Sequence, residues 1–413
     1  MISRYPAATL DARLVDSPTT DPAGRLRVSN PEVSFGASTR YNSQLLHFNH
    51  TVSGSGAVAH SATTGEITLS TGAAGSGDRA VRQTTRYWGV VPGIGGAAKL
   101  MGVLHSSGTH ADASLCQCGW YDDDNGVGFG VDATGEYVFR RTDQSGSVVT
   151  TKIYSGSWNP PDGYPTLDDA GLVMDVDDVL SYVVDVQWAG SSRVRYGVER
   201  AGVTYYVHEE EAAGAAAGEF LREVELPLRW EVHNEGGTGA DVEQIAIAGA
   251  VLLEGAGRRP EHPFSFGSGV TAVSCTTGAQ IPVVSWRLAS TLNGIDYRGS
   301  VAADRVTIQA ATNPVYWQLQ LNATLGGSPS YGAVDATHSG VEFDVAATSI
   351  SAAGTVLASG YVGAGETREV DLSRIGRHMG KDLGGTSDIL TFSGRGVGGT
   401  ADVLAAVDIT EYY

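Results

Sequence analysis

The chain has 413 residues, enough for two or three domains that each bury a core of their own. Asp and Glu number 46 against 27 Lys and Arg, a formal net charge of −19, yet only 18% of residues are charged, 42% are hydrophobic and 55 are glycine. Disorder requires low hydrophobicity with high charge, so this chain folds; nucleic acid and anionic membrane both need clustered cations, and the absence of any basic run sets both aside as partners.

Residues 1–30 carry Pro6, Pro18 and Pro22 among Ser17, Thr19 and Thr20 and show no sustained alternation. They read as an extended N-terminal arm that packs on a neighbour. Arg4, Asp11 and Arg13 break any apolar stretch, so no signal peptide is expected. From residue 31 onward short alternating segments follow one another, punctuated by Gly, Ser, Asn and Asp, the pattern of an all-β sandwich.

Segments 45–48, 58–60, 66–69, 80–87, 100–104 and 114–121 read as strands. The run Asp122-Asp123-Asp124-Asn125-Gly126 turns the chain into a strand over 127–131, because Asn-Gly tolerates the positive φ of a tight hairpin. A second turn at 132–135 leads to a strand over 136–141, and segments 179–188, 193–200 and 203–209 form a meander. Residues 209–221 make the one helix-like stretch, weakened by Gly214 and Gly218. Alternation stops over 254–263, where Gly and Pro cluster, and a domain boundary is expected there. Eight further strands between 283 and 411 fit a jelly roll. The expectation is an all-β protein: the arm 1–30, then two tandem antiparallel β-sandwich (jelly-roll-like) domains over 31–258 and 259–413.

Chemistry-bearing patterns are sparse. Asp122 and Asp124 are candidate oxygen ligands for Ca²⁺, but Gly126 and Ala133 occupy the positions where an EF-hand loop needs its third and last ligands, so a hairpin tip solvated by carboxylates is expected. Gly394-Arg395-Gly396-Val397-Gly398-Gly399 matches G-x-G-x-x-G, yet a strand pattern follows where a dinucleotide site needs a helix, so it reads as a hairpin loop. Cys116, Cys118 and Cys275 read as small core residues. Glu209–Glu211 and Asp175, Asp177 and Asp178 read as solvated acidic loops. Of the seven tryptophans, Trp188, Trp286 and Trp317 sit in alternating strands and suit the core, whereas Trp158 in Ser-Gly-Ser-Trp-Asn-Pro-Pro is the candidate ligand contact, or else an anchor of its loop. No catalytic residue, cofactor or zinc cluster is indicated.

The segment from Val184 to Gly197, with Asp185, Gln187, Trp188, Gly190, Arg193, Val194 and Arg195, resembles a D-x-Q-W-x-G-x-x-R-V-R-x-G stretch of β-rich virion structural proteins of tailed bacteriophages. Asn313–Tyr316 and Val341–Val345 resemble the module that accompanies it. The resemblance implies a spike, fibre or decoration protein without an active site. It would be synthesised in the host cytoplasm and assembled into the virion as a homo-oligomer, a trimer being expected. Residues 1–30 would attach it to capsid or tail proteins. A receptor- or glycan-binding tail protein that contacts a host surface glycan is the alternative, and a polysaccharide depolymerase is the third reading.

Overall fold

Strand formation dominates wherever the alternation is sustained. The computed structural model describes residues 32–72, 75–89, 95–108, 114–144, 147–187, 193–211, 221, 225–236, 241–253, 261–375 and 378–413. Among these the regular elements are β-strands and two single-turn 3₁₀ helices, Ser155–Ser157 and Ser373–Ile375. The arm 1–30 and Trp188 lie outside the described residues. The helix-like stretch is corrected at its start: Glu209–Glu211 complete the strand Val203–Glu211, where Glu209 stands opposite Arg195. Residues 212–220 lie outside the description.

The described residues divide into two compact units, one drawn from 32–44, 50–82 and 90–257 and the other from 45–49, 83–89 and 258–413. The two short early segments are tied into the second unit through backbone bonds, Thr85 N–H to His47 O at 2.9 Å and Lys381 N–H to Thr85 O at 3.1 Å.

The first unit is a sandwich of two antiparallel sheets. One runs Val203–Glu211, Arg193–Arg200, Leu180–Gln187, Gly95–Ser107, Glu243–Leu253, Glu66–Ser70 and Ala57–Ser61, with Glu32–Ser38 also on Glu243–Leu253. The other runs Ser147–Tyr154, Gly135–Gln144, Gly126–Asp132, Ser114–Tyr121, Leu228–Asn234, Arg79–Thr84 and Phe48–Ser53. The meander over 180–211 takes its expected antiparallel order. Phe129 bridges the layers, its ring 5.1 Å from Tyr182 and 5.9 Å from Tyr196. Cys116, Cys118 and Trp120 alternate onto the inner face with exposures of 1% or less, and the Trp120 indole N–H donates to Leu226 O at 2.7 Å.

The outer face of the seven-stranded sheet is shaped by glycine. Gly128 and Gly130 leave room for the rings of Phe139 and Tyr137 from the neighbouring strand to lie across the backbone. A Cβ on Gly130 would stand 2.4 Å from Tyr137 Cζ, and one on Gly128 2.9 Å from Phe139 Cε1. Tyr121, Tyr137 and Phe139 thereby form a second, smaller apolar cluster, with Tyr154 at its margin.

The second unit is also a two-sheet antiparallel sandwich. One sheet runs His262–Gly267, Ala401–Tyr412, Ser300–Ala310 and Glu366–Asp371, with two short strands alongside. The other runs Gly332–Ala333, Val341–Asp344, Ile281–Leu288, Ile389–Gly396, Val315–Leu321 and Thr355–Val362. Trp286, Trp317, Phe266 and Phe392 fill the space between them. The glycine-rich run 394–399 is no hairpin loop: 394–396 end the strand Ile389–Gly396, and the turn after them crosses to Ala401–Tyr412 in the other sheet, with Gly398 at φ +77°.

Candidate functional site

The acidic turn is built differently from the expected solvated tip. Asp122 is buried, and its Oδ1 accepts from Asp124 N–H at 2.9 Å and Asn125 N–H at 2.8 Å. Its own N–H donates to Asn125 O at 2.8 Å. The Asp122 carboxylate is thus an internal staple of the turn, with Asp124 half-buried beside it. Among the described residues no group of three His, Cys, Asp or Glu is placed to hold a metal ion.

Asp123, which no motif singled out, joins an ion network on the outer face of the seven-stranded sheet. Its Oδ1 accepts from Arg79 Nη2 at 2.5 Å and Arg229 Nη2 at 2.9 Å. Arg79 Nε donates to Glu231 Oε1 at 2.6 Å, and Tyr121 O–H to Glu231 Oε2 at 3.3 Å. Arg141 donates to Asp122 O at 2.9 Å and to Gln117 Oε1 at 3.2 Å. Tyr121 lies between two guanidinium groups, those of Arg229 at 5.2 Å and Arg141 at 5.3 Å from its ring centre. Burial pushes the Glu231 carboxyl up, but Arg229, Arg79 and Arg141 together outweigh it and hold it at about 2. Burial acts likewise on Asp123, and Arg229 and Arg79 bring it down to about 2. Both carboxylates are therefore ionised and committed to arginine at neutral pH.

The glutamate run is corrected too, whereas Asp175, Asp177 and Asp178 lie exposed in a loop, as expected. Glu209 and Glu210 are strand residues in ion pairs, with Arg195 Nε at 2.6 Å and Arg140 Nε at 3.1 Å. Asp175 Oδ1 accepts from Asp177 N–H at 3.0 Å, and the Asp177 carboxylate stands 2.8 Å from His105 Nδ1. Trp158 is half-buried just after the 3₁₀ turn Ser155–Ser157, and its indole N–H donates to Ile153 O at 2.9 Å, which makes it an anchor of its loop. Trp88, Trp120, Trp230, Trp286 and Trp317 are all buried. The candidates Asp122, Asp124 and Trp158 share no cavity among those described.

A formed cavity does exist in the second unit, with a volume of about 480 Å³. Arg287 and Ile389, paired across neighbouring strands, line it together with Leu325 and Tyr331 from the chain after Val315–Leu321 and the turn over 382–388. Arg287 is held by Glu342 on the next strand, Nε to Oε2 at 2.9 Å, and its guanidinium stacks 4.1 Å from the centre of the Tyr331 ring. Asn322 adopts the left-handed conformation at φ +55°. Its Nδ2 donates to Asp388 Oδ1 at 2.9 Å while its Oδ1 accepts from Ile389 N–H at 2.8 Å. Asp382 folds the facing turn, accepting at Oδ1 from Thr386 N–H at 2.7 Å. The wall is therefore pre-organised by its own bonds. Burial, with the nearby Asp344 charge, pushes the Tyr331 phenol up to about 12, so it stays a donor at neutral pH. Its hydroxyl is enclosed and has no hydrogen-bond partner among the described residues. Arg287, Thr324 and Thr386 offer donors, Asp382 an acceptor, and Leu325, Ile389 and the Tyr331 ring an apolar surface.

No protein-family model and no curated protein matches this chain. Among solved structures it is similar to an endo-1,3-beta-glucanase from Streptomyces sioyaensis, at 11% identity and a TM-score of 0.36, over 55% of this chain and 97% of that one. The carbohydrate recognition domain of Emp47p gives 8% identity and 0.34, over 55% and 97%. The exoplasmic/lumenal domain of VIP36, in a Ca²⁺- and mannose-bound form, gives 9% and 0.32, over 56% and 94%. The class that the chain's own sheets define is an all-β protein of antiparallel β-sandwiches.

Proposed function

We propose that this protein binds carbohydrate, and that the cavity lined by Arg287, Tyr331, Asp382 and Thr386 is where it does so. The observation that carries this reading is the cavity itself. Its size suits one or two sugar units, its wall is fixed by internal hydrogen bonds, and planar polar groups stand beside an aromatic ring. A sugar offers adjacent hydroxyls to a forked donor such as guanidinium and an apolar C–H face to tyrosine, which is amphipathic itself.

Binding without turnover fits the carboxylates. Glycoside hydrolysis uses one carboxylic acid kept protonated beside a second carboxylate. Asp123 and Glu231 are both held low by arginine, and Asp382 and Asp388 are tied into local bonds. A glycan array followed by calorimetry on the hits tests the proposal. Tyr331→Ala should weaken binding at least tenfold, the loss typical of a central aromatic contact, with the unfolding temperature unchanged. Wild-type protein that binds no glycan above background overturns it.

For the setting in which such binding serves, we infer the surface of a tailed-phage particle, supported by the sequence resemblance of residues 184–197, 313–316 and 341–345. Deleting residues 1–30 should then leave a folded protein that no longer incorporates into particles. Truncated protein that still decorates virions removes the attaching role of the arm.

A further inference from the structure

The seven-stranded sheet of the first unit ends on Ser147–Tyr154. This strand pairs with Gly135–Gln144 through eight consecutive residues, from Tyr137 opposite Tyr154 to Gln144 opposite Ser147, without a bulge. Among the described residues nothing pairs with its other edge. Residues 147–151 are exposed, and Val148 and Val149, which point to opposite faces, are 47% and 45% accessible. An open strand edge presents a row of backbone donors and acceptors that a further strand can match.

Proteins usually blunt such edges, and among the described residues the other edge strands are short, bulged, charged or carry proline. Val203–Glu211 is bulged, ends in three glutamates and gives its Glu209 N–H to Asn159 O at 3.1 Å. Ala57–Ser61 and Phe48–Ser53 run for five and six residues. In the second unit His262–Gly267 carries Pro263, and Glu366–Asp371 carries Glu366, Arg368, Glu369 and Asp371. Thr355–Val362 is bulged, and its Tyr361 carbonyl is taken by Arg368 Nη1 at 3.0 Å. Ser147–Tyr154 has one such device, at its end, where Trp158 Nε1 donates to Ile153 O at 2.9 Å; over 147–152 it has none. Its one charge is turned onto the sheet face, with Lys152 Nζ 2.8 Å from Asp132 Oδ2 and 4.6 Å from the centre of the Tyr137 ring.

We propose that Ser147–Tyr154 is a self-association edge, along which two copies of this chain pair antiparallel about a two-fold axis and join their seven-stranded sheets. The occupant is a second copy because the strand complements itself. An axis through Thr150 sets Lys152 opposite Val148, and one through Thr151 sets it opposite Thr150, so like charges face each other in neither register. At a net charge of −19 two copies repel, and this strand, which has no acidic residue and one lysine, adds no like-charge pair to that repulsion. A two-fold contact uses the same patch on both partners and closes at two copies.

Light scattering on the full chain over a range of concentrations tests the pairing. The wild type should reach twice 43.0 kDa, and Val149→Lys, which adds a second lysine to the edge, should return it to 43.0 kDa with an unchanged circular dichroism spectrum. The control Thr367→Lys, on an already charged edge, should leave the dimer intact. Single Thr150→Cys and Thr151→Cys variants supply a readout that does not depend on weakening the contact. The one lying on the axis should form a disulfide-linked dimer under mild oxidation that reductant dissolves. A wild type that stays at 43.0 kDa throughout, an assembly whose mass Val149→Lys does not change, or the absence of cross-linking in both cysteine variants overturns the proposal.

Discussion

Glu231 shows how one buried carboxylate sets the acid limit of the first unit. It is 2% exposed and surrounded by Arg79, Arg229 and Tyr121. Its folded-state value of about 2 lies below the ordinary 4.5, so the stabilisation it gives is complete above that ordinary value and is lost as pH falls towards 2. Asp123, held at about 2 against 3.8, acts in the same direction over a similar interval. Unfolding followed by tryptophan fluorescence should therefore show steady stability from pH 7 to about 5 and a decline below, with a shallower acid limb in Glu231→Gln. Glu231→Ala strands two guanidinium groups against the sheet and should cost about 3–5 kcal/mol, the range for breaking one side of a buried pair. The turn 122–126 was legible because Asn-Gly is a local signal. The role of Asp123 was not, since its arginines lie 44 and 106 residues away. Only the strand pattern of Leu228–Asn234, with Arg229, Glu231 and His233 on one face, hinted at a polar face there.

The strands themselves were readable where turns bracket them, as in the meander over 180–211. Sheet order was not readable, because it depends on pairings distant in sequence. Gly95–Ser107, for instance, lies between Leu180–Gln187 and Glu243–Leu253. Alternate glycines weaken a strand taken by itself, but in the folded sheet those of Gly126–Asp132 give space to rings from the next strand. Gly130→Ala drives a methyl into Tyr137 and should cost about 1–3 kcal/mol, the usual range for overpacking. Gly156→Ala, where an added Cβ meets nothing within 4 Å, is the matched control, and thermal unfolding of the pair decides the point. Of the two roles weighed for Trp158, the structure shows the anchor: its indole N–H donates to Ile153 O beside the 3₁₀ turn. The cavity residues Asn322, Tyr331 and Asp382 carried no motif. Each sits in a connection between strands, and the three meet only once Val315–Leu321 and Ile389–Gly396 are side by side.

At the scale of the molecule, short alternating segments punctuated by glycine and the absence of sustained helical periodicity pointed to the fold class, and the structure is all-β throughout its described residues. The early segments 45–49 and 83–89 group with the second unit, an arrangement no local composition shift marks. Cys116, Cys118 and Cys275 are all enclosed, with burial pushing each thiol up, to about 12 for Cys275. A thiolate rather than a thiol reacts with alkylating probes, so in the native state these sulfurs are silent on two counts, access and ionisation. Two of them belong to one unit and the third to the other. Labelling at Cys116 and Cys118 therefore times the opening of the first sandwich and labelling at Cys275 that of the second, two internal clocks that need no engineered probe.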